Sequence, residues 1–399
     1  VSYFGPCVDP SIQYSNLSDM TYQTHELRLT GTRDKLDWIV GGFYQQQETT
    51  FDSRWSIPPI NPDAAVIDDL YFQTDQQRKD QEYSIFGELT YRFTEQLSGT
   101  LGYRYFEGET TLDGFVGTVF FPVCCFVGSD TRPPDNVDSI AKSSDGIIKL
   151  NLTYAINDDA MVYATYAEGY RPAGANRAPG VGETYDPDFV ESYELGWKST
   201  LLDGRVRLNG SVYFMQWDDI QIGFFNPDIS LLGLVDNAGS AESQGFELDA
   251  TVLATDALEL SLAYAYNNAE LTEDYFARQG NATPDAFDGQ DLPFTPDNKY
   301  TLNARYSFDL MSMPSALQLN YAYTDAMWND IFASGREKMD AYGLLSANLR
   351  VDAEGWHATL FANNLTNEVA ELFINTVDIR RLVTVNQPRT IGVSVGVNF

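Results

Sequence analysis

The sequence predicts an all-β fold, a transmembrane antiparallel up-and-down barrel of which about fifteen strands are visible. Three observations carry the prediction. Apolar residues recur at every second position over long stretches. The connectors between those stretches are alternately short and long. No run approaches the roughly 18 apolar residues that a membrane-crossing helix needs.

The strand segments follow in chain order. The first two centre on residues 22–31 and 35–50. The third, 79–93, contains "EYSIFGELTYRF" and is a clear case. Tyr83, Ile85, Leu89, Tyr91 and Phe93 share one face with Gly87. Glu82, Ser84, Glu88, Thr90 and Arg92 share the other, with Phe86 the exception. Segments 96–110, 144–156, 159–170, 188–200 and 205–222 come next. "FELDATV" lies in 241–254, with Phe246, Leu248, Ala250 and Val252 on one side. "LELSLAYAY" lies in 257–270, with Leu258, Leu260, Leu262, Tyr264 and Tyr266 aligned. "KYTLNARYSF" lies in 297–309, with Tyr300, Leu302, Ala304, Tyr306 and Phe308 aligned. Segments 315–328, 341–352, 355–367 and 388–399 complete the set. Many exceed the roughly 5–6 residues of an ordinary strand and satisfy the roughly 9–11 that cross a bilayer.

Short connectors are "TRDK" (32–35), "TEQ" (94–96), "NDD" (157–159), "LLDG" (201–204), "TD" (255–256) and "DAEG" (352–355). Long polar ones lie near 51–78, 111–143, 171–187, 223–240, 271–296, 329–340 and 368–387. Outer-membrane barrels have this asymmetry, with short periplasmic turns and long outer loops. The apolar face then meets lipid and the polar face lines the lumen. Closure is required because unpaired backbone groups cannot be left in hydrocarbon. Tyr and Phe near strand ends, such as Tyr91, Phe93, Tyr264 and Tyr266, suit the aromatic girdles of such barrels, although both are good strand residues anyway.

Composition narrows the function. The 399 residues carry 57 acidic against 25 basic side chains, a net charge of −32. Nucleic acid is excluded as a partner by that sign. Twenty-four Tyr, 24 Phe and 6 Trp exclude disorder. Two His and three Cys argue against zinc or haem chemistry. His25 and His357 are far apart, so no Ser–His–Asp arrangement has support and an outer-membrane enzyme ranks third among the functional classes. The chain opens on Val1 with no signal peptide or initiator Met.

The chain ends in "TIGVSVGVNF", with Val395, Val397 and Phe399 on the apolar face. This resembles the terminal signal that the barrel-assembly machinery reads in bacterial outer-membrane proteins. Further stretches resemble the TonB-dependent receptors: "HELRLTGTRDKLDWIVGGFYQQ" (25–46), "VYATYAEGYRPAGANRA" (162–178), "VESYELGWKSTLLDGRVRLNGSVYFMQWDDIQI" (190–222), "AESQGFELDATV" (241–252) and "FANNLTNE" (361–368). The resemblance implies a 22-stranded outer-membrane barrel with a plug, powered through TonB, taking up a scarce large ligand. A ferric siderophore leads; haem, cobalamin and glycans belong to the same implied range. Partners implied with it are outer-membrane lipid, lipopolysaccharide, TonB and the assembly machinery. No plug or TonB box is visible. Counting back from the terminus makes the first segment strand eight of 22, so the expectation is the C-terminal portion of a barrel, with further strands and a plug upstream. A 15-stranded sheet cannot close in the usual even-stranded way. The strand near 22–31 and that of Phe399 are therefore expected not to pair. Their pairing would favour the alternative, a passive porin with a complete smaller barrel. Such a pore should show a constriction loop of mixed charge, and the sequence offers no clear candidate.

Candidate ligand contacts lie at outer strand ends and loops: Tyr170, Arg171, Asn176, Phe224, Phe225 and Trp328. For Arg171 the competing reading is a pair with a loop acid, with Pro172 stopping the strand. For the aromatics it is girdle placement. Acid pairs such as Asp68–Asp69, Asp158–Asp159 and Asp218–Asp219 read as solvated carboxylates, and "NLT" at Asn364 as strand end and turn. Asp63, Asp68, Asp69 and Asp75 share one loop, and Glu273, Asp274, Asp285, Asp288 and Asp291 another. An acidic mouth repels small anions, and calcium bound by loop oxygens is compatible with it. No resident cofactor is expected. Cys7, Cys124 and Cys125 fall in outer loops, where disulfides form. One bridge is expected, from Cys7 to one of the pair or from the pair to a region upstream. A vicinal Cys124–Cys125 ring is strained and ranks lower.

Overall fold

The computed structural model describes residues 13–56, 70–118, 135–178, 182–224, 232–277, 282–375 and 381–397. They form one 15-stranded antiparallel sheet whose strands pair in chain order. The strands are β1 (Gln13–Arg33), β2 (Leu36–Ser56), β3 (Leu70–Arg92), β4 (Leu97–Thr118), β5 (Val137–Asn157), β6 (Ala160–Arg171), β7 (Asp188–Leu201) and β8 (Val206–Asp218). They continue as β9 (Ala241–Leu253), β10 (Leu258–Leu271), β11 (Asn298–Leu310), β12 (Met313–Thr324), β13 (Tyr342–Ala353), β14 (Trp356–Asn363) and β15 (Thr390–Val397). Each predicted segment holds one strand. Among the described residues no helix is long and apolar enough to cross a membrane.

The sheet is inside-out. Ile85 is 65% exposed and Val393 67%, whereas Glu82 is only 8% exposed. Water alone would punish that arrangement, and lipid rewards it. Short turns close one end of every hairpin. They use left-handed backbone at Asp34 (φ 51°), and at Leu202 and Asp203 ahead of Gly204 (φ 85°). Asp and Gly tolerate that region best.

Two expectations need correction. Residues 51–78 and 111–143 are not loops throughout, because β2 runs to Ser56, β3 starts at Leu70, β4 runs to Thr118 and β5 starts at Val137. β1 likewise starts at Gln13 rather than near 22. These five strands are 21–23 residues long, about 70 Å at ~3.3 Å per residue, so they stand well clear of a ~30 Å hydrocarbon core. Beyond lipid the outward face has no reason to be apolar, and the period-two contrast that marks a strand reverses. In the extension Gln73, Asp75 and Gln77 alternate with the buried Phe72, Thr74 and Gln76. Gly114 sits where β4 leaves its regular path (φ 132°). A Cβ there would lie 2.2 Å from the Asp75 carbonyl oxygen, so glycine is required.

β1 and β15 occupy the two edges of the sheet and, among the described residues, are not hydrogen-bonded to each other. The apolar cores lie at the outer end of the sheet, in the loops and the strand ends that carry them. One gathers Ile220, Leu271, Tyr275, Ala286, Leu292 and Ile331. The other joins Phe72, Leu112, Val116 and Val137 to Ala175 and Ala178. Four long connectors also carry short hairpins: Gly174–Ala175 with Thr184–Tyr185, Gln221–Phe224 with Leu234–Asn237, Met327–Trp328 with Lys338–Met339, and Glu371–Asn375 with Leu382–Val385.

Candidate ligand-binding mouth

The outer extensions of β2 to β5 form a wall, and the connector after β6 folds inward onto it. Ala175 and Ala178 pack on Phe72, Leu112, Val116 and Val137. The Thr110 hydroxyl donates to Asp80 at 2.6 Å and lies 3.3 Å from the Ala173 carbonyl. Small residues in "RPAGANRAPG" let the backbone lie this close. The sequence offered no candidate for a loop inside the mouth, because its signal is only a run of Ala, Gly and Pro.

Arg171 ends β6 and is held by Asp188, which starts β7 and is 1% exposed. Asp188 also accepts the Gln221 N–H at 2.9 Å, and Arg171 donates to the Gln221 carbonyl at 2.9 Å. Arg171 thus clamps three segments through a loop acid. Asn176 is buried. Its amide donates to the Gly182 and Val235 carbonyls, and its Oδ1 accepts the Val235 N–H. Tyr170 stacks parallel on Phe106, centroids 3.4 Å apart. These three candidates read from the sequence all join one face of the mouth, but Arg171 and Asn176 commit their polar groups to the fold.

Arg177, absent from the sequence-based candidates, is different. Its guanidinium lies 3.9 Å from the centroid of Phe51. Nε donates to Gln76 and Nη2 to Thr74, both at 3.0 Å. Gln76 returns a bond to the Arg177 carbonyl at 2.7 Å. No carboxylate pairs with it among the described residues, and burial lowers its pKa below the ordinary arginine range. The five-donor fork therefore keeps N–H groups for an anionic oxygen. A lone Arg among Ala, Asn, Gly and Pro was the available signal.

The rest of the mouth is built on the connectors after β8, β10 and β12, the first of which also bonds Arg171 and Asn176. Phe224 is buried edge-on against Phe332, centroids 5.2 Å apart. Tyr275 donates to Asp236 at 2.8 Å, and burial followed by that carboxylate raises its pKa. The Trp328 indole donates to Asp291 at 2.9 Å, with Arg336 4.1 Å and Lys338 5.7 Å from its ring. Burial lowers the Arg336 pKa and raises that of Asp330. Arg381 pairs with Glu337 and Glu371. So Phe224 belongs to the loop core, and Trp328 presents a cation-flanked ring at the rim.

The acids are absorbed locally. Asp274 accepts the Asp288 N–H and Asp285 the Ala277 N–H, both at 3.0 Å. Among the described residues no three His, Cys, Asp or Glu side chains converge as a metal site requires. Cys7, Cys124, Cys125, Phe225, Phe399, Asp63, Asp68 and Asp69 lie outside the described residues.

Comparison with known proteins agrees with this architecture. The sequence model of the family "TonB dependent receptor-like, beta-barrel" matches residues 2–365. The pesticin receptor of Yersinia pestis is 20% identical over 378 residues, 92% of this chain and 50% of that protein. The metal-pseudopaline receptor of Pseudomonas aeruginosa is 29% identical over 133 residues, 33% of this chain and 18% of that protein. The crystal structure of the ferric yersiniabactin uptake receptor from Yersinia pestis superposes with a TM-score of 0.77 at 18% identity, covering 98% of this chain and 56% of that one. The chain thus spans about half the length of that receptor, or less of other relatives.

Proposed function

Because the chain belongs to the TonB-dependent receptor β-barrel family, we propose that it serves active uptake of a metal complex, a ferric siderophore above all, across the bacterial outer membrane. TonB supplies the energy in this reading. Outer-membrane lipid, lipopolysaccharide and the assembly machinery are its other partners. The relatives compared are receptors, and no enzymatic step is assigned.

The observation that supports the reading best is Arg177. A half-buried guanidinium, fixed on Phe51, Gln76 and Thr74 with no carboxylate among the described residues, faces the mouth of an otherwise strongly acidic chain. Ferric chelates wrap the metal in anionic oxygens, and charge-assisted bonds from a fixed fork favour them. The rim pair Trp328–Arg336 adds a second aromatic–cation surface. Tyr170, stacked on Phe106, adds a ring at the end of β6. Ligand contacts are thus proposed at Tyr170, Arg177 and Trp328, while Arg171, Asn176 and Phe224 hold the loops that carry them.

The test is titration of the purified protein with ferric hydroxamate, catecholate and carboxylate chelates, followed by tryptophan fluorescence, together with radio-iron uptake in cells with and without TonB. One chelate class should bind and enter only with TonB. Arg177→Gln should weaken its binding about 10- to 100-fold, the range of a charged hydrogen bond. Failure of every chelate to bind, with passive flux of small solutes through reconstituted protein, would establish the porin instead.

A further inference from the structure

Outside the mouth, the outward face of the sheet carries an apolar groove of about 890 Å³ near the short turns. Its walls are Leu89, Tyr91, Phe93, Leu152, Tyr193 and Leu195. Its floor is made by small residues. Tyr91 pairs with Gly99, Gly99 with Leu152, and Leu152 with Ala164. The Phe93 ring leans over Gly99, where a Cβ would come within 2.9 Å of it. From Leu36, opposite Tyr91 on β2, to Val212, opposite Leu195 on β8, is six strand spacings, about 29 Å. One leaflet of a ~30 Å hydrocarbon core is about 15 Å deep. The groove runs across the tilted strands, obliquely to the membrane normal, and is long enough to hold an acyl chain.

Cations stand at its turn end. Arg33 is directly opposite Leu36 in the ladder, and Leu36 lines the groove. The Lys35 ammonium donates to the Phe93 carbonyl at 3.4 Å. Among the described residues neither Arg33 nor Lys35 has an ion pair. Arg92 beside them is taken by Asp37, and Asp34 between them in the chain bridges to neither. In a chain of net charge −32, two cations that have no ion-pair partner among the described residues, at the headgroup level below an apolar groove, are complementary to a phosphate on a chain-bearing lipid. We propose that one anionic phospholipid binds here, its acyl chain over Gly99 and Ala164 and its phosphate between Arg33 and Lys35. The short turns face the periplasm, so the lipid comes from the periplasmic leaflet. This site is independent of the ligand taken up through the mouth.

Native mass spectrometry of the protein extracted whole from its outer membrane, stripped in neutral detergent and mixed with phosphatidylglycerol or phosphatidylcholine, tests the proposal. The expected result is one retained phosphatidylglycerol per protein and weaker retention of phosphatidylcholine. The double variant Arg33→Gln with Lys35→Gln should raise the dissociation constant for phosphatidylglycerol about thirtyfold and leave phosphatidylcholine unchanged. Ala164→Phe, which fills the floor from the lipid side, should lose both lipids. Its thermal stability in detergent should match wild type, which checks that the variant folds. Equal retention of the two lipids by wild type, or undiminished phosphatidylglycerol in the double variant, overturns the headgroup site. Undiminished lipid in Ala164→Phe overturns the groove, and a dimer that excludes lipid would show that a second copy covers this face.

Discussion

At the scale of single residues, the mouth is held by side chains that sequence reading ranks as ligand candidates. Asp188 shows how: one buried carboxylate receives the Arg171 guanidinium, the Arg171 N–H and the Gln221 N–H. Asp188→Ala leaves the Gln221 N–H without an acceptor and frees the half-exposed Arg171, a loss of about 1–3 kcal/mol. The connector 172–187 should then be nicked by protease, while the barrel keeps its heat-dependent mobility on gels; an unchanged digestion pattern would show that Arg171 is not the clamp. Asp330 gives a pH-dependent counterpart. Burial raises its pKa, so the folded state holds its proton more tightly than the unfolded chain does. Stability from this group is therefore present at acid pH and is lost as pH rises through the raised value. Protection factors in 325–341, that is, exchange corrected for the intrinsic fall in rate with acid, should rise on acidification from neutrality. Asp330→Asn keeps the acceptor for the Phe332 N–H and should slow exchange at neutral pH and flatten the dependence. A wild-type profile without slope would refute the assignment.

At the scale of elements, apolar residues do opposite jobs on the two parts of one strand. β10 carries Leu260 outward toward lipid and ends in Leu271, which is fully buried among Ile220, Tyr275 and Ile331 in the loop core. Leu271→Ala should cost about 2–5 kcal/mol locally, because a cavity opens in a packed cluster. Leu260→Ala should cost far less, because lipid fills the space left. Limited proteolysis of 219–240 and 272–297 measures the first effect and thermal melting in lipid the second; equal sensitivity of the two variants would place Leu271 outside any real core. The same division explains why strand existence was legible and strand length was not. Alternation marks β3 from Tyr83 to Phe93, where lipid demands it. In the extension from Leu70 the outward face is polar and the inward face mixed, so period two no longer has one sign.

For the whole molecule, the asymmetry between short and long connectors fixes orientation. A cysteine at Asp288, exposed in the connector after β10, should react with an impermeant reagent on intact cells, and one at Asp203 in the turn after β7 should not. Asp288 is a better probe than Asp285, which accepts a backbone N–H. Labelling at Asp203 alone would invert the barrel. The odd strand number and the unpaired β1 and β15 edges were also legible, since counting segments needs only the pattern of apolar residues and turns.

What the sequence determined by itself was therefore the membrane part: fifteen strands, their order, the lipid-facing side and the end bearing the loops. Each rests on local regularities, a two-residue period and turn chemistry, which the bilayer imposes uniformly. Only the tertiary structure decided the mouth. Arg171 could equally have met a ligand or Asp188, which lies 17 residues away, and Phe224 could have sat at the rim or in a core. Arg177 carries little local signal, because its meaning comes from Phe51, Thr74 and Gln76, some hundred residues upstream. Loops have no period, so which of their side chains are taken up by the fold and which are left for a ligand depends on long-range packing that no local pattern encodes.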